Sequence, residues 1–494
     1  MLNWPKFRLD LLLVILFSSL VGAFFVLSMS NVSARWTLVI LGLTIGATSL
    51  LFITVFSNKL KLTLLIGVFL SLPIFFDINF FYQDYAPFYV SANGLTITLF
   101  DIFFFPLFFM WLSNRYKIGA EHLKTPKVFI WFFILLFFFN LLSSLISPFP
   151  FFSISALFWI LKAFIIFMYF MNNYKDEETL TVLGRIFGLI LLMQGVIVLE
   201  QKFVGAIFTQ DLIGKQIAIV SLIGNQEVER VAGSLSHPNN LAMFLNLFIP
   251  VVVFILLREK KAHWRAFFGL SLFLAILAEL WTSSRGGWIA LACSMTLAIS
   301  LLMHKRGVNI IKIVLSIVLV SITAATILLG TSETFRTRVF GEDYGTADLR
   351  IPLMQIAENM IVDNPVLGVG LNVYAARMQD YDNTNEYVSK YYPYPVHNTY
   401  LLMAAESGLP SLIIFLSLLG FILYRALQAF YKQSGINEAV LLGLLTGIIT
   451  WLIHNLVNLD DAYMNNAIWV ILGMVVGLTA KSAHVPPNQS EVLK

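Results

Sequence analysis

Long apolar runs separated by short polar connections fill the chain from residue 9 to residue 480. A helix crossing ~30 Å of hydrocarbon needs roughly 17 to 25 residues. Fourteen runs reach that length, at 9–28, 36–56, 60–76, 95–113, 126–147, 152–172, 180–200, 238–257, 265–283, 286–303, 310–330, 398–424, 436–457 and 463–480. The pattern predicts an all-α integral membrane protein of about fourteen transmembrane helices, a single polytopic domain over 1–494. Two polar connections are longer than turns, 201–237 and 331–396. The first run follows Lys6 and Arg8 as a signal peptide would. With no clear small-residue cleavage site after it and further spans at once, it reads as a retained helix. The polar tail 485–494 is expected to be disordered.

Within the large loop, Leu349, Leu353, Ile356 and Met360 recur at helical spacing, with Asp348 as a plausible cap and Asp363-Asn364-Pro365 as a stop. An amphipathic helix over Asp348–Val362 is predicted, lying on the membrane surface or over a cavity. Pro352 falls in its first turn, where a missing N–H is tolerated.

The positive residues orient the spans, because Lys and Arg gather on the cytoplasmic side. With the N-terminus inside, twenty of the thirty-two basic residues fall in inside connections and ten outside. Eight of those ten sit in the two longer loops, and Lys162 and Arg185 fall within runs. Both termini are then cytoplasmic. The loops 201–237 and 331–396 and the Ser283-Ser284-Arg285-Gly286-Gly287 turn land on the outer face, where ATP and nucleotide sugars are scarce.

Composition agrees with this, at 58% apolar and 12% charged residues, and the net charge of +4 is too dispersed for nucleic-acid binding. The single cysteine, Cys293, rules out a disulfide framework or thiolate metal site and reads as a small core residue.

Arg350 would lie beside unpaired N–H groups at the positive end of the loop helix, so that guanidinium and helix terminus could together hold a phosphate. It could equally pair with Asp343, Asp348 or a lipid headgroup. The loop holds nine acidic against five basic residues, so anion affinity there must come from particular arginines. Its tyrosines, among them Tyr374, Tyr381, Tyr391, Tyr392 and Tyr394, could stack on sugar rings, but interface anchoring accounts for most of them. Arg285 is a cation in a tight turn between two spans, either functional or snorkelling to headgroups. His397 opens a span and can act as general base or as a polar cap. Glu406, about 13 Å further along that helix, reads as a packing or charge-pairing residue. Arg230 and the run Ser234 to Asn240, with His237 at its centre, fit helix initiation as well as ligand contact. His454 with Asp460 and Asp461 could ligate a cation, but no ligand spacing supports it, so no metal or other cofactor is expected. Lys162, Glu200 and Glu279 are ionisable groups in or near spans without an assigned role.

Together these segments resemble the bacterial O-antigen ligase and polymerase family, membrane glycosyltransferases of the broad GT-C type. The matching pieces are Arg230-Val231-Ala232-Gly233-Ser234 leading to His237-Pro238-Asn239, the Ser284-Arg285-Gly286-Gly287-Trp288 turn, Arg350 followed by Asn364-Pro365-Val366-Leu367-Gly368-Val369-Gly370, and His397-Asn398 followed by Gly408-Leu409-Pro410. Ser411 stands where the family has a small or aromatic residue. The resemblance covers about 225–411. It implies a metal-independent transfer of a glycan from an undecaprenyl-diphosphate carrier to a hydroxyl on a glycan or lipid acceptor, at the periplasmic face of the inner membrane. It further implies that Arg285 and Arg350 hold the donor diphosphate, His397 activates or orients the acceptor, and Arg230, Asn398 and His237 support them. Arg285, Arg350 and His397 should then line one outward-facing cavity. Protein O-oligosaccharyltransferases share these motifs. A polysaccharide transporter or flippase is the competing class, and it would place its polar residues near the midplane rather than at one face.

Overall fold

The structure is a computed structural model that describes residues 60–74, 77–84, 88–117, 126–174, 176–205, 219–223, 226–235, 237–309, 349–385 and 387–481, with isolated positions between 311 and 336. The expected spans 9–28 and 36–56, most of 310–330, and the tail 485–494 lie outside the described residues. Eight described helices are long and apolar enough to cross a membrane.

The chain forms two compact units, Met1–Ile78 with Ile97–His122 and Asn79–Thr96 with Leu123–Lys494. In the first, α1 (Leu60–Ser71) packs on α2 (Leu99–Lys117), burying Leu64, Val68 and Phe69 on one helix and Phe100, Phe104 and Leu107 on the other. Of the apolar runs expected at 60–76 and 95–113, the first is helical only to Ser71 and the second begins with four residues of strand. β1 (Asp77–Phe80) and β2 (Leu95–Thr98) pair as a two-stranded sheet.

The second unit holds α3 (Lys127–Ile146), α4 (Pro150–Asn172), α5 (Glu177–Phe203), α6 (Pro238–Leu256), α7 (Ala262–Trp281), α8 (Arg285–Lys305), α9 (Arg350–Asp363), α10 (Thr399–Lys432), α11 (Gly435–His454) and α12 (Asn466–Lys481). Nine of these cover the runs read from hydropathy, with ends shifted by a few residues, and α9 is the helix expected in the large loop. The connection before α6 carries an antiparallel hairpin, β3 (Ile219–Ile223) with β4 (Gln226–Arg230), in register from Ile219 opposite Arg230. The structure is mostly helical, consistent with the all-α expectation, and two small two-stranded sheets accompany the helices among the described residues.

The centre of the unit is the pair α6 and α11, each 78% buried over its apolar window. Lipid is as apolar as Leu, so helices in a membrane associate through close van der Waals packing rather than by escape from water. Gly443 and Gly447 permit that approach. A Cβ on Gly443 would fall 2.4 Å from Val251 Cα, and one on Gly447 2.5 Å from the Leu247 carbonyl oxygen. The Ser294 and Thr450 hydroxyls, 2.5 Å apart, join α8 to α11. Cys293 on α8 is exposed, which corrects the core reading.

α9 turns its apolar stripe inward. Its apolar stripe, Leu353, Ile356, Ala357 and Met360, is buried with Tyr374, Met378, Val388 and Val396 from the rest of the loop and with Leu402 and Ala405 of α10. Ile351 and Val362, off the stripe, are left exposed.

Candidate functional site

At one end of the bundle meet the starts of α6, α8 and α10 and the ends of α7 and α11, and the motif residues are carried there. β4 delivers Arg230, which is buried. Its Nε donates to the Thr282 carbonyl oxygen and its Nη2 to Asn239 Oδ1, both at 2.8 Å, so it joins the end of α7 to the first turn of α6. The segment after it is held by two buried glutamines seven residues apart on α5. Gln201 Oε1 accepts from the Ala232 and Gly233 N–H groups while its Nε2 donates to the Gly233 oxygen at 2.6 Å. Gln194 makes the same two-way contact with Ser234. His237 caps α6, its Nδ1 accepting from Asn239 N at 3.1 Å.

The turn between α7 and α8 is held by its own hydroxyls. Thr282 Oγ1 donates to the Glu279 oxygen and accepts from Ser284 N, Ser283 takes a positive φ of 52°, and Ser284 caps α8 by accepting from Gly287 N. Arg285 is the first residue of α8. Ser284 Oγ lies 3.4 Å from His454 Nε2 at the end of α11, and a Cβ on Gly286 would come within 3.1 Å of the same imidazole. On the other side, Asn246 Nδ2 of α6 bonds both Glu279 Oε1 and the Gly287 oxygen at 3.1 Å.

Arg350 is likewise the first residue of its helix, α9. Leu349 stands at the cap position and makes no side-chain cap bond, and Asp348 lies outside the described residues. Arg285 and Arg350 thus each add a guanidinium to the positive end of a helix. After α9, the segment Asn364 to Gly370 docks on a break in α10. Gly408 has φ 79° and ψ 165°, which interrupts the helix, and Pro410 offers no N–H to the turn before it. The carbonyls of Ala405 and Glu406 accept instead from Val369 N (2.9 Å) and Gly370 N (3.1 Å), and Leu409 N donates to the Pro365 oxygen (2.9 Å). Glu406 is buried, as expected, and its Oε1 accepts from Tyr374 N at 2.9 Å.

His397 immediately precedes α10, whose cap is Asn398. The Asn398 Oδ1 accepts from Tyr400 N and Leu401 N at 3.0 Å, and its Nδ2 donates to the Leu456 oxygen, fixing α10 against the segment after α11. Thr399 N adds a bond to the Asn455 oxygen. Burial, then the charge of Arg350, hold the His397 imidazole down at about 4, opposed by the Pro395 carbonyl. His237 is lowered to about 4 by burial and by the charges of Arg230 and His397. Burial raises the Tyr392 hydroxyl against the opposing charge of Arg350.

Arg230 joins the Thr282 turn to Asn239 beside the His237 cap, and Ser284 of the same turn faces His454. His237 and His397 stay neutral near pH 7, which lets them accept a proton, while the arginines supply fixed positive charge. Asp460 and Asp461 sit on the far side of the α10 cap and are engaged locally. Asp460 Oδ2 accepts from Trp451 Nε1 and Asn465 Nδ2, and Asp461 Oδ1 from Tyr463 N. Lys162 is buried with its Nζ 4.2 Å from the Trp159 ring.

Sequence reasoning weighed His454 only as a cation ligand beside Asp460 and Asp461, and it gave Gln194 and Gln201 no role. The polar pair at seven-residue spacing on apolar α5 was the available signal for the glutamines.

Residues 270–416 match the O-antigen ligase family model, a segment that runs from α7 to just past the break in α10 and includes Arg285, Arg350 and His397. The match covers under a third of the chain and supports the O-antigen ligase and polymerase family to which the motifs pointed. No curated protein matches the chain.

Proposed function

We propose that the protein transfers a glycan from an undecaprenyl-diphosphate carrier to an acceptor hydroxyl, at the extracytoplasmic face of a bacterial inner membrane. The family match supports a membrane glycan ligase or polymerase in general. The donor and the chemistry follow from the paired arginines, each opening a helix, around neutral imidazoles.

In this mechanism Arg285 and Arg350 bind the diphosphate by charge-assisted hydrogen bonds, with the N-termini of α8 and α9 behind them. The acceptor oxygen attacks the anomeric carbon, the new C–O bond forms, and the bond from that carbon to the diphosphate breaks with its electron pair on phosphate. The hydroxyl proton passes to His397. The arginines hold charge where it grows as the leaving group departs, which is where electrostatic stabilisation lowers the barrier. Binding the anionic donor also offsets the Arg350 charge that depresses His397, so the imidazole gains basicity when substrate is present. Arg230, Asn398 and His237 fix the surrounding helix ends.

The observation that supports this reading is the joining of the motif-bearing helix ends: Ser284 of the Arg285 turn faces His454, Arg230 ties that turn to Asn239, and Asn398 beside His397 bonds the segment after α11. The test is single substitution of Arg285, Arg350 and His397 by Ala in the producing strain. Surface glycan display should be lost with the protein still in the membrane, and intact display would sink the assignment. The lipid-linked pool of a deletion strain then sorts the acceptor. Long polymer left on the carrier indicates a ligase, and single repeat units a polymerase.

A further inference from the structure

Four aromatic rings from two distant segments stand in sequence in space and end at the candidate base. Tyr89 and Tyr394 have ring centroids 5.6 Å apart, Tyr394 and Tyr392 4.7 Å, and Tyr392 and His397 6.2 Å. The planes turn from ring to ring by 34°, 40° and 31°, so none of the steps is edge to face. Tyr89 and Tyr394 are exposed, at 41% and 44%, while Tyr392 leans on the buried cluster beneath α9.

The row is held from both ends. Tyr89 N donates to the Pro393 oxygen at 3.2 Å, which ties the segment before β2 to the segment before α10. Two residues on, Ser91 N donates to Asn372 Oδ1 at 2.8 Å, which fixes the segment that carries Tyr89. Pro393 and Pro395 restrict the backbone on either side of Tyr394. Interface anchors act singly, each placing its own hydroxyl at headgroup level, and that role does not require rings 305 residues apart in sequence to be bound together. Exposed, prealigned aromatic faces offer large contact area at little cost in side-chain entropy, which suits the C–H faces of pyranose rings.

We propose that Tyr89, Tyr394 and Tyr392 form a stacking track for the sugar rings of a glycan acceptor, leading its terminal hydroxyl to His397. This rests on the glycan-transfer reading of the site. The acceptor, not the donor, is assigned to the track because the row ends on the imidazole that receives the acceptor proton. The donor diphosphate belongs to the arginines.

The test uses the full chain in lipid nanodiscs. The acceptor probes are reducing-end-labelled oligosaccharides of graded length, released from the producing cell's own glycan by partial acid hydrolysis. Binding is read by fluorescence anisotropy, and transfer from the lipid-linked donor is read separately. Tyr394→Leu and Tyr89→Ala should each weaken oligosaccharide binding roughly tenfold, raising the acceptor KM while leaving the donor KM unchanged. The loss should grow with oligosaccharide length. Tyr394→Phe should bind normally, as should Tyr424→Ala at an exposed tyrosine on α10. The track is overturned if no oligosaccharide binds the unaltered protein, if Tyr394→Leu and Tyr89→Ala bind every length normally, or if Tyr394→Phe is as impaired as Tyr394→Leu. A rise in donor KM alone would also overturn it. Tyrosine-dependent binding alongside undiminished transfer by His397→Ala would instead leave the track standing and remove the reading of the base.

Discussion

Ser284 Oγ and His454 Nε2 face each other at 3.4 Å, which couples the turn carrying Arg285 to the last residue of α11. His454 is buried and 170 positions away from that turn in sequence. In the proposed mechanism it would act through the placement of Arg285. His454→Ala should raise the donor KM roughly tenfold, about 1.4 kcal/mol, with the acceptor KM little changed, and His454→Gln should restore part of the loss. Steady-state transfer kinetics in nanodiscs check this, and a fall in kcat alone would refute it.

The break in α10 should tolerate no side chain. A Cβ on Gly408 would fall 2.1 Å from the Val366 carbonyl oxygen, and φ of 79° disfavours any other residue. Gly408→Ala should cost about 3 kcal/mol or more, through strain and overpacking together. Gly420→Ala, on the same helix with open space around it, should be nearly neutral. Thermal unfolding of the two variants in detergent makes the comparison.

The acid side of the pH profile should lie unusually low. His397 must be neutral to accept a proton, and its value of about 4 in the substrate-free protein keeps it so well below the ordinary 6.5. The acidic limb of kcat/KM, which reports the free enzyme, should therefore fall below pH 6. The limb of kcat should sit at higher pH, because the bound diphosphate offsets Arg350. Coincident limbs would argue against that coupling.

Stability should follow the same groups. His237 and His397 are each held at about 4 when folded against 6.5 for an ordinary histidine. Between those values the unfolded chain binds more protons, so stability rises with pH across that window and is lost as pH falls from 6.5 toward 4. Melting temperatures in detergent from pH 7 to pH 4 should show this slope, and His397→Gln should flatten it.

Gln201→Leu should release the segment after Arg230. It removes the partners of two backbone N–H groups and one carbonyl, at about 2 kcal/mol or more. Faster proteolytic cleavage between α5 and α6, with weaker transfer, is the expected outcome. Unchanged cleavage would mean that other contacts hold the segment.

The spans were legible because a membrane helix must be long and apolar wherever it packs. Which side of each helix faces protein was not, since lipid and core accept the same residues, and Cys293 was misjudged for that reason. The motif arginines and His397 stood out as polar groups at span ends. Their mutual arrangement did not, because it runs through partners that look ordinary in sequence, such as Gln201 in an apolar helix or His454 at the end of another. The helix at Arg350 was found by its period of leucine, isoleucine and methionine. What its stripe packs on was not legible, because the same stripe would have suited a lipid surface or a protein one.

The close fit of α6 against α11 at Gly443 and Gly447 also bears on how the molecule comes into being. Arg230, Arg285, Arg350 and His397 all leave the ribosome before α11 does. Until α11 is inserted, Thr399 and Asn398 lack the carbonyls of Asn455 and Leu456, and the Arg285 turn lacks His454. A chain cut short before residue 435 would carry all four of those residues without these partners, so the proposed site should be complete only once synthesis is.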